Sequence, residues 1–203
     1  MKTLLLALSF LLFAFATKAE VILDADGDPL LPGAQYYIYP VFFGPFIGGG
    51  LRPGKASSNS IYKTSVLKSF STEDYGEPLK FLPLQKIGII KTDIKLSIEF
   101  VHTPEGVSSG KWIPVKDIGD EIWSVGIGGP QDHEGYETLT GFFKIKEARE
   151  GYKFSFLPNN HLNETFHEEI EESFYLNRWR LIFTTALPYY IKFIKVPSER
   201  SWI

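Results

Sequence analysis

Short runs of strand-forming residues, each closed off by Gly, Pro, Asn or Asp, recur along nearly the whole chain, and no long helical pattern competes with them. They cover residues 36–42, 61–70, 94–100, 112–115, 122–128, 141–147, 151–158, 178–185 and 189–196. Several alternate cleanly. Leu96, Ile98 and Phe100 stand against Lys95, Ser97 and Glu99, and Tyr152, Phe154 and Phe156 against Lys153 and Ser155. Successive side chains of a strand point to opposite faces, so this period of two gives each segment one apolar face to bury. Many such segments joined by turn formers argue an antiparallel barrel or sandwich. Phe100, Trp112, Phe142, Phe154, Phe156 and Phe183 are expected in its core. Only residues 167–174 have a helical character, and that run is short. Residues 147–151 form a hairpin loop, the Gly-, Pro- and Ser-rich stretch 42–60 a long surface loop, and residues 126–130 (GIGGP) a turn. No exact internal repeat is visible.

The first 19 residues have the form of a secretory leader: a basic start at Lys2, an apolar run from Leu4 to Ala16, and small residues Thr17 and Ala19 at the −3 and −1 positions. The run is shorter than the about 20 residues that span a bilayer, so cleavage after Ala19 is expected rather than anchoring. One domain, 20–203, would follow. Loss of residues 1–19 takes Lys2 and Lys18 and no acid, leaving 19 Lys and Arg against 24 Asp and Glu, a formal charge of −5. That balance disfavours nucleic acid or an anionic membrane as the main partner. Cysteine is absent. A chain of this length has enough apolar material for a core without disulfides.

Catalytic signatures are poor. There is no Gly-x-Ser-x-Gly, no phosphate-cradling loop and no cysteine nucleophile. His102, His133, His161 and His167 lack metal-site spacing, so neither metal nor cofactor is expected. The many carboxylates single out no glycosidase pair. Asn163-Glu164-Thr165 is a glycosylation acceptor in a polar loop. Lys86-Ile87 lies between Pro83 and Gly88, just ahead of the alternating strand ending at Phe100. From the residues alone, a plain loop lysine is the simpler reading; the alternative is a basic side chain presented to a protease pocket.

The stretch VILDADGDPLLPGAQYYI, residues 21–38, resembles the N-terminal signature of the plant Kunitz, or soybean-trypsin-inhibitor-type, family, with Asp24, Gly27, Pro29, Leu30, Gly33, Tyr36, Tyr37 and Ile38 in place. The likeness continues in order through residues 48–55, 95–100, 108–115, 125–130, 141–147 and 151–156 to the final strands. The resemblance implies a β-trefoil, an all-β fold of twelve short antiparallel strands in which six close a barrel and six cap it. It also implies a secreted or vacuolar inhibitor of serine proteases, monomeric, working through one exposed loop. Counting back from Phe100 places the family's scissile pair at Lys86-Ile87, and a lysine there suits a trypsin-like primary pocket, whose buried Asp pairs with a basic side chain.

Two features depart from the pattern. The family's usual four cysteines are missing: Tyr62 and Leu157 stand where two would fall, Glu105 or Gly106 near a third, and no fourth lies between Leu157 and Phe174. The family's loop-supporting asparagine appears here as Pro32, whose side chain has no donor. The first function implied is therefore inhibition of a trypsin-like endopeptidase. A non-inhibitory trefoil for storage, defence or binding is the alternative, with a glycosidase-like enzyme a distant third.

Overall fold

The computed structural model describes residues 19–41, 48–55, 64–117, 122–159, 169–175, 178–185 and 188–197. Among them thirteen strands form, all paired antiparallel: β1 (Gln35–Pro40), β2 (Leu51–Gly54), β3 (Ser65–Lys68), β4 (Leu79–Pro83), β5 (Leu96–Phe100), β6 (Trp112–Asp117), β7 (Trp123–Ile127), β8 (Tyr136–Thr138), β9 (Gly141–Glu147), β10 (Tyr152–Pro158), β11 (Glu169–Tyr175), β12 (Arg178–Thr184) and β13 (Ile191–Lys195). A single 3-10 turn, Pro130–Asp132, is the one helical element among the described residues.

Hydrogen bonding closes six strands into a ring, β1–β4–β5–β9–β10–β13 and back to β1. The other strands make three hairpins, β2–β3, β6–β7 and β11–β12. One strand from each, β3, β7 and β12, pairs with the other two, which joins the hairpins into a triangular cap. Each third of the chain thus supplies two barrel strands and one cap hairpin, the β-trefoil expected above. The thirteenth strand, β8, is an addition along the edge of β6.

The alternation read from the sequence sets the core. Leu96, Ile98 and Phe100 of β5 point inward and are essentially fully buried. Their neighbour Glu99 faces outward, opposite Lys80 of β4 across a 3.4 Å ion pair. Inside the barrel the aromatic rings meet edge to face, as their quadrupoles favour: Phe81 and Phe193 at 5.3 Å, Trp112 and Phe154 at 5.6 Å, Phe143 and Phe156 at 5.0 Å. Phe100, Trp112, Phe154, Phe156 and Phe183 are all buried as expected.

Phe142 is not. It is half-buried and lies under the Lys95 ammonium, 5.7 Å from its ring centroid, while Phe143 takes the core position. Ile145 is the inward residue of β9, and period two places Phe143 on its face and Phe142 with Lys144. Residues 169–175 are a strand, not a helix, because all seven pair with β12 and the fully buried Ile170 faces the core. The stretch 42–60 is more than loop, since β2 lies within it, and the GIGGP turn runs on into the 3-10 turn. The hairpin loop at 147–151 forms as expected, with Tyr152 opposite Glu147 and Gly151 at φ 74°.

Candidate inhibitory loop

Residues 84–95 join β4 to β5 at the end of a tight antiparallel pair, where Pro83 sits opposite Leu96. Leu84 extends that pairing by donating its N–H to the Lys95 carbonyl at 3.0 Å. Beyond this tie the chain leaves the barrel: Leu84, Gln85, Lys86, Gly88 and Ile89 are exposed, and Ile87 is half-buried. The descending arm is pinned again at Ile90, which is fully buried. Five exposed or half-exposed residues, Gln85 to Ile89, therefore span the space between two fixed shoulders.

The second shoulder is held by the segment leading into β1. Leu30 accepts the Ile90 N–H at 2.9 Å, Ile22 donates to the Ile90 carbonyl at 3.2 Å, and Leu30 donates to Ile22 at 2.9 Å. Asp24 shapes the turn between these residues, its Oδ1 accepting the N–H groups of Asp26 and Asp28, both at 3.0 Å. Further down the arm, Val21 bridges Lys91, Thr92 donates to Glu20 at 2.8 Å, and Asp93 donates to Ile145 of β9 at 2.9 Å. Asp93 has φ 61°, a left-handed conformation that Asp tolerates better than most residues.

Pro32 lies beside this base. Ala34 donates to Leu31 at 3.3 Å across a turn with Pro32 second and Gly33 third at φ 73°, the residue pattern of a type II turn. Gly33 donates to Phe81 of β4 at 3.0 Å, and Leu31 donates to the hydroxyl oxygen of the buried Tyr36 at 3.0 Å. The proline ring supplies no donor, and support at this corner comes from the backbone of residues 30, 31 and 33.

Lys86 and Ile87 thus occupy one exposed loop, and Pro32 flanks its base; these three sequence-derived positions fall in one region. Asn163 and residues 1–18 lie outside the described residues, as do Tyr62, His161 and His167. Leu157 is half-buried on β10, and Glu105 and Gly106 are exposed. The support given by Glu20, Ile22, Leu30, Ile90 and Thr92 was missed by sequence reasoning, because backbone hydrogen bonds leave no side-chain signature. Among the described residues no group of three or more His, Asp or Glu could hold a metal ion, and no helix is long and apolar enough to cross a membrane.

A second cluster lies far along the chain. Asp132 accepts from the Gly129 N–H at 2.7 Å, from the Ser108 N–H at 3.0 Å and from the Ser108 hydroxyl. Burial pushes its carboxyl up, but these hydrogen bonds and the neighbouring His133 outweigh it and hold the pKa below the usual carboxylate value. Burial lowers His133, whose Nε2 lies 3.0 Å from the Ile127 carbonyl. Neither group borders the loop's ties, and both serve the turn after β7.

Several known proteins resemble this chain in sequence and in fold. The Kunitz_legume family model, described as trypsin and protease inhibitor, matches residues 22–195. The Kunitz-type elastase inhibitor BrEI of Bauhinia rufa is 46% identical over 146 residues, which cover 69% of this chain and 98% of that protein. The subtilisin inhibitor CLSI-II of Canavalia lineata is 40% identical over 134 residues, 66% of this chain and 69% of that one. A crystal structure of a Kunitz type trypsin inhibitor from Cicer arietinum superposes with a TM-score of 0.77 at 32% identity, over 88% of this chain and 99% of that chain.

Proposed function

The chain belongs to the Kunitz family of trypsin and protease inhibitors, and from that membership we propose that it is a secreted inhibitor of trypsin-like serine endopeptidases with Lys86-Ile87 as its reactive bond. In this reading residues 1–19 are the leader, residues 20–203 the inhibitory domain, and Asn163 carries a glycan. The family is one of inhibitors rather than enzymes, and the fit is to a partner's active site.

The observation that carries the proposal is the exposed lysine between two fixed shoulders. A basic side chain at that point can enter a pocket whose floor carries a buried Asp. The bonds at Leu84 and Ile90 restrict the loop before docking, so little ordering entropy is lost when the protease closes on it. An anchor at the centre of such an interface dominates the binding energy.

The relatives named as elastase and subtilisin inhibitors show that this scaffold serves more than one protease pocket. Titration of trypsin, pancreatic elastase and subtilisin with the secreted protein separates the targets. The proposal predicts stoichiometric loss of trypsin activity at the lowest concentration. A non-inhibitory trefoil is favoured by the donorless Pro32 beside the loop and by the absence of the family's usual cysteines; it predicts three unaffected proteases or simple cleavage after Lys86.

A further inference from the structure

The two shoulders of the loop are built differently. The ascending one is part of the barrel, because Pro83 pairs with Leu96 and Leu84 with Lys95. The descending one, residues 90–92, belongs to no named strand. Its neighbour is the extended segment 20–22, and the two run antiparallel with Val21 opposite Lys91. Ile22 is fully buried, so this segment is itself fixed to the core.

Glu20 and Thr92 exchange two hydrogen bonds. Thr92 donates its backbone N–H to the Glu20 carbonyl at 2.8 Å, and Glu20 donates its N–H to the Thr92 hydroxyl oxygen at 2.9 Å. The second bond depends on the side chain. Thr92 is only 7% exposed although Lys91 and Asp93 beside it are exposed, so its hydroxyl is turned inward to this contact. A β-branched residue has few rotamers to lose, which suits it to hold a hydroxyl in one place.

We propose that Thr92, acting through Glu20, is a positioning residue of the inhibitory loop: the segment Glu20–Ile22 is a strut along the descending arm that fixes the Ile87 side of the reactive bond. The proposal rests on the reading of Lys86-Ile87 as that bond. It gives a physical role to the first residues after the expected leader. Cleavage after Ala19 makes the Glu20 nitrogen an α-ammonium, and a charged donor strengthens the bond to Thr92. The strut also stands in for a side-chain brace at the loop's base, where Pro32 offers no donor.

The test compares the mature protein with Thr92→Val, Thr92→Ser and a form lacking Glu20 and Val21. Val keeps the shape and removes the acceptor, and Ser restores it. Glu20 is exposed, so water can take its freed N–H and the fold should survive. The first readout is amide hydrogen exchange at positions 90 and 92 without protease, and the second is the rate of cleavage after Lys86 by trypsin. Thr92→Val should raise both rates about five- to tenfold, as loss of one hydrogen bond in the arm would, and the truncated form, which loses both bonds to Thr92, should raise them further, while Thr92→Ser stays within about twofold of the parent. Unchanged exchange and cleavage in a folded Thr92→Val protein would overturn the proposal, as would failure of Ser to restore them. If trypsin ignores the parent protein altogether, the reading of the reactive bond fails, and exchange at positions 90 and 92 still decides whether the strut exists.

Discussion

Ile90 donates its backbone N–H to the Leu30 carbonyl at 2.9 Å, four residues beyond Lys86 in the chain. Leu30 in turn donates to Ile22, and Ile22 to Ile90, so three residues distant in sequence close a ring of three hydrogen bonds. All three are fully buried. Buried backbone groups must find partners, and here they find one another. An exposed loop therefore has one of its feet inside the hydrophobic core.

Truncating that foot should couple stability to loop order. Ile90→Ala removes a buried branched side chain and should cost about 2–4 kcal/mol. The backbone ring lies against the resulting cavity, so cleavage of the loop by trypsin should accelerate beyond what global unfolding explains. Chemical denaturation and the cleavage rate at low denaturant measure the two effects separately.

Replacing Pro32 should trade stability for support. Proline is preorganised for its place before Gly33, and Pro32→Asn should lower stability by about 0.4–1 kcal/mol through the freer unfolded chain. The asparagine amide adds donors beside the loop's base, and inhibition should tighten about threefold, the scale of a modest hydrogen bond. Unchanged inhibition would mean that the backbone ties already hold the loop fully.

Mild acid should weaken the fold through His133. Burial holds its pKa below 6.5 in the folded protein, so the unfolded chain takes up a proton first. Stability from this group is complete above pH 6.5 and falls as the pH drops from there toward the folded value. Asp132 works in a lower window: its pKa is held below 3.8, so its contribution is present above that pH and lost as the pH falls below it. Unfolding free energies measured between pH 7.5 and pH 4.5, a span that brackets the usual histidine range, should slope downward in the parent. The slope should flatten in His133→Gln.

Much of the fold was legible in local pattern. The β5 alternation identified Leu96, Ile98 and Phe100 as core residues because a pleated strand leaves them no other face. The paired phenylalanines of β9 were misassigned, although Ile145 between two lysines carries the phase that puts Phe143 inside. β11 looked helical because its glutamates mask the period, and its pairing with β12 is a tertiary fact. The threefold arrangement was invisible because it resides in hydrogen-bond order, while unlike side chains fill equivalent places. That Lys86 lies in a loop was legible from Pro83 and Gly88 around it, its reading as a reactive site came only from family likeness, and the loop's support was hidden in backbone contacts.

The proposed anchor of the inhibitor is Lys86. The most direct measurement is the equilibrium inhibition constant for trypsin of the parent protein and of Lys86→Ala, with thermal unfolding of both as a control. Lys86 is exposed and in no hydrogen bond or ion pair among the described residues, so its truncation should leave stability unchanged. Tight inhibition by the parent and a loss of about 2–4 kcal/mol in the variant are expected, as for anchors at interface centres. Equal inhibition by both proteins, or a parent that trypsin cuts after Lys86 without being slowed, would contradict that role.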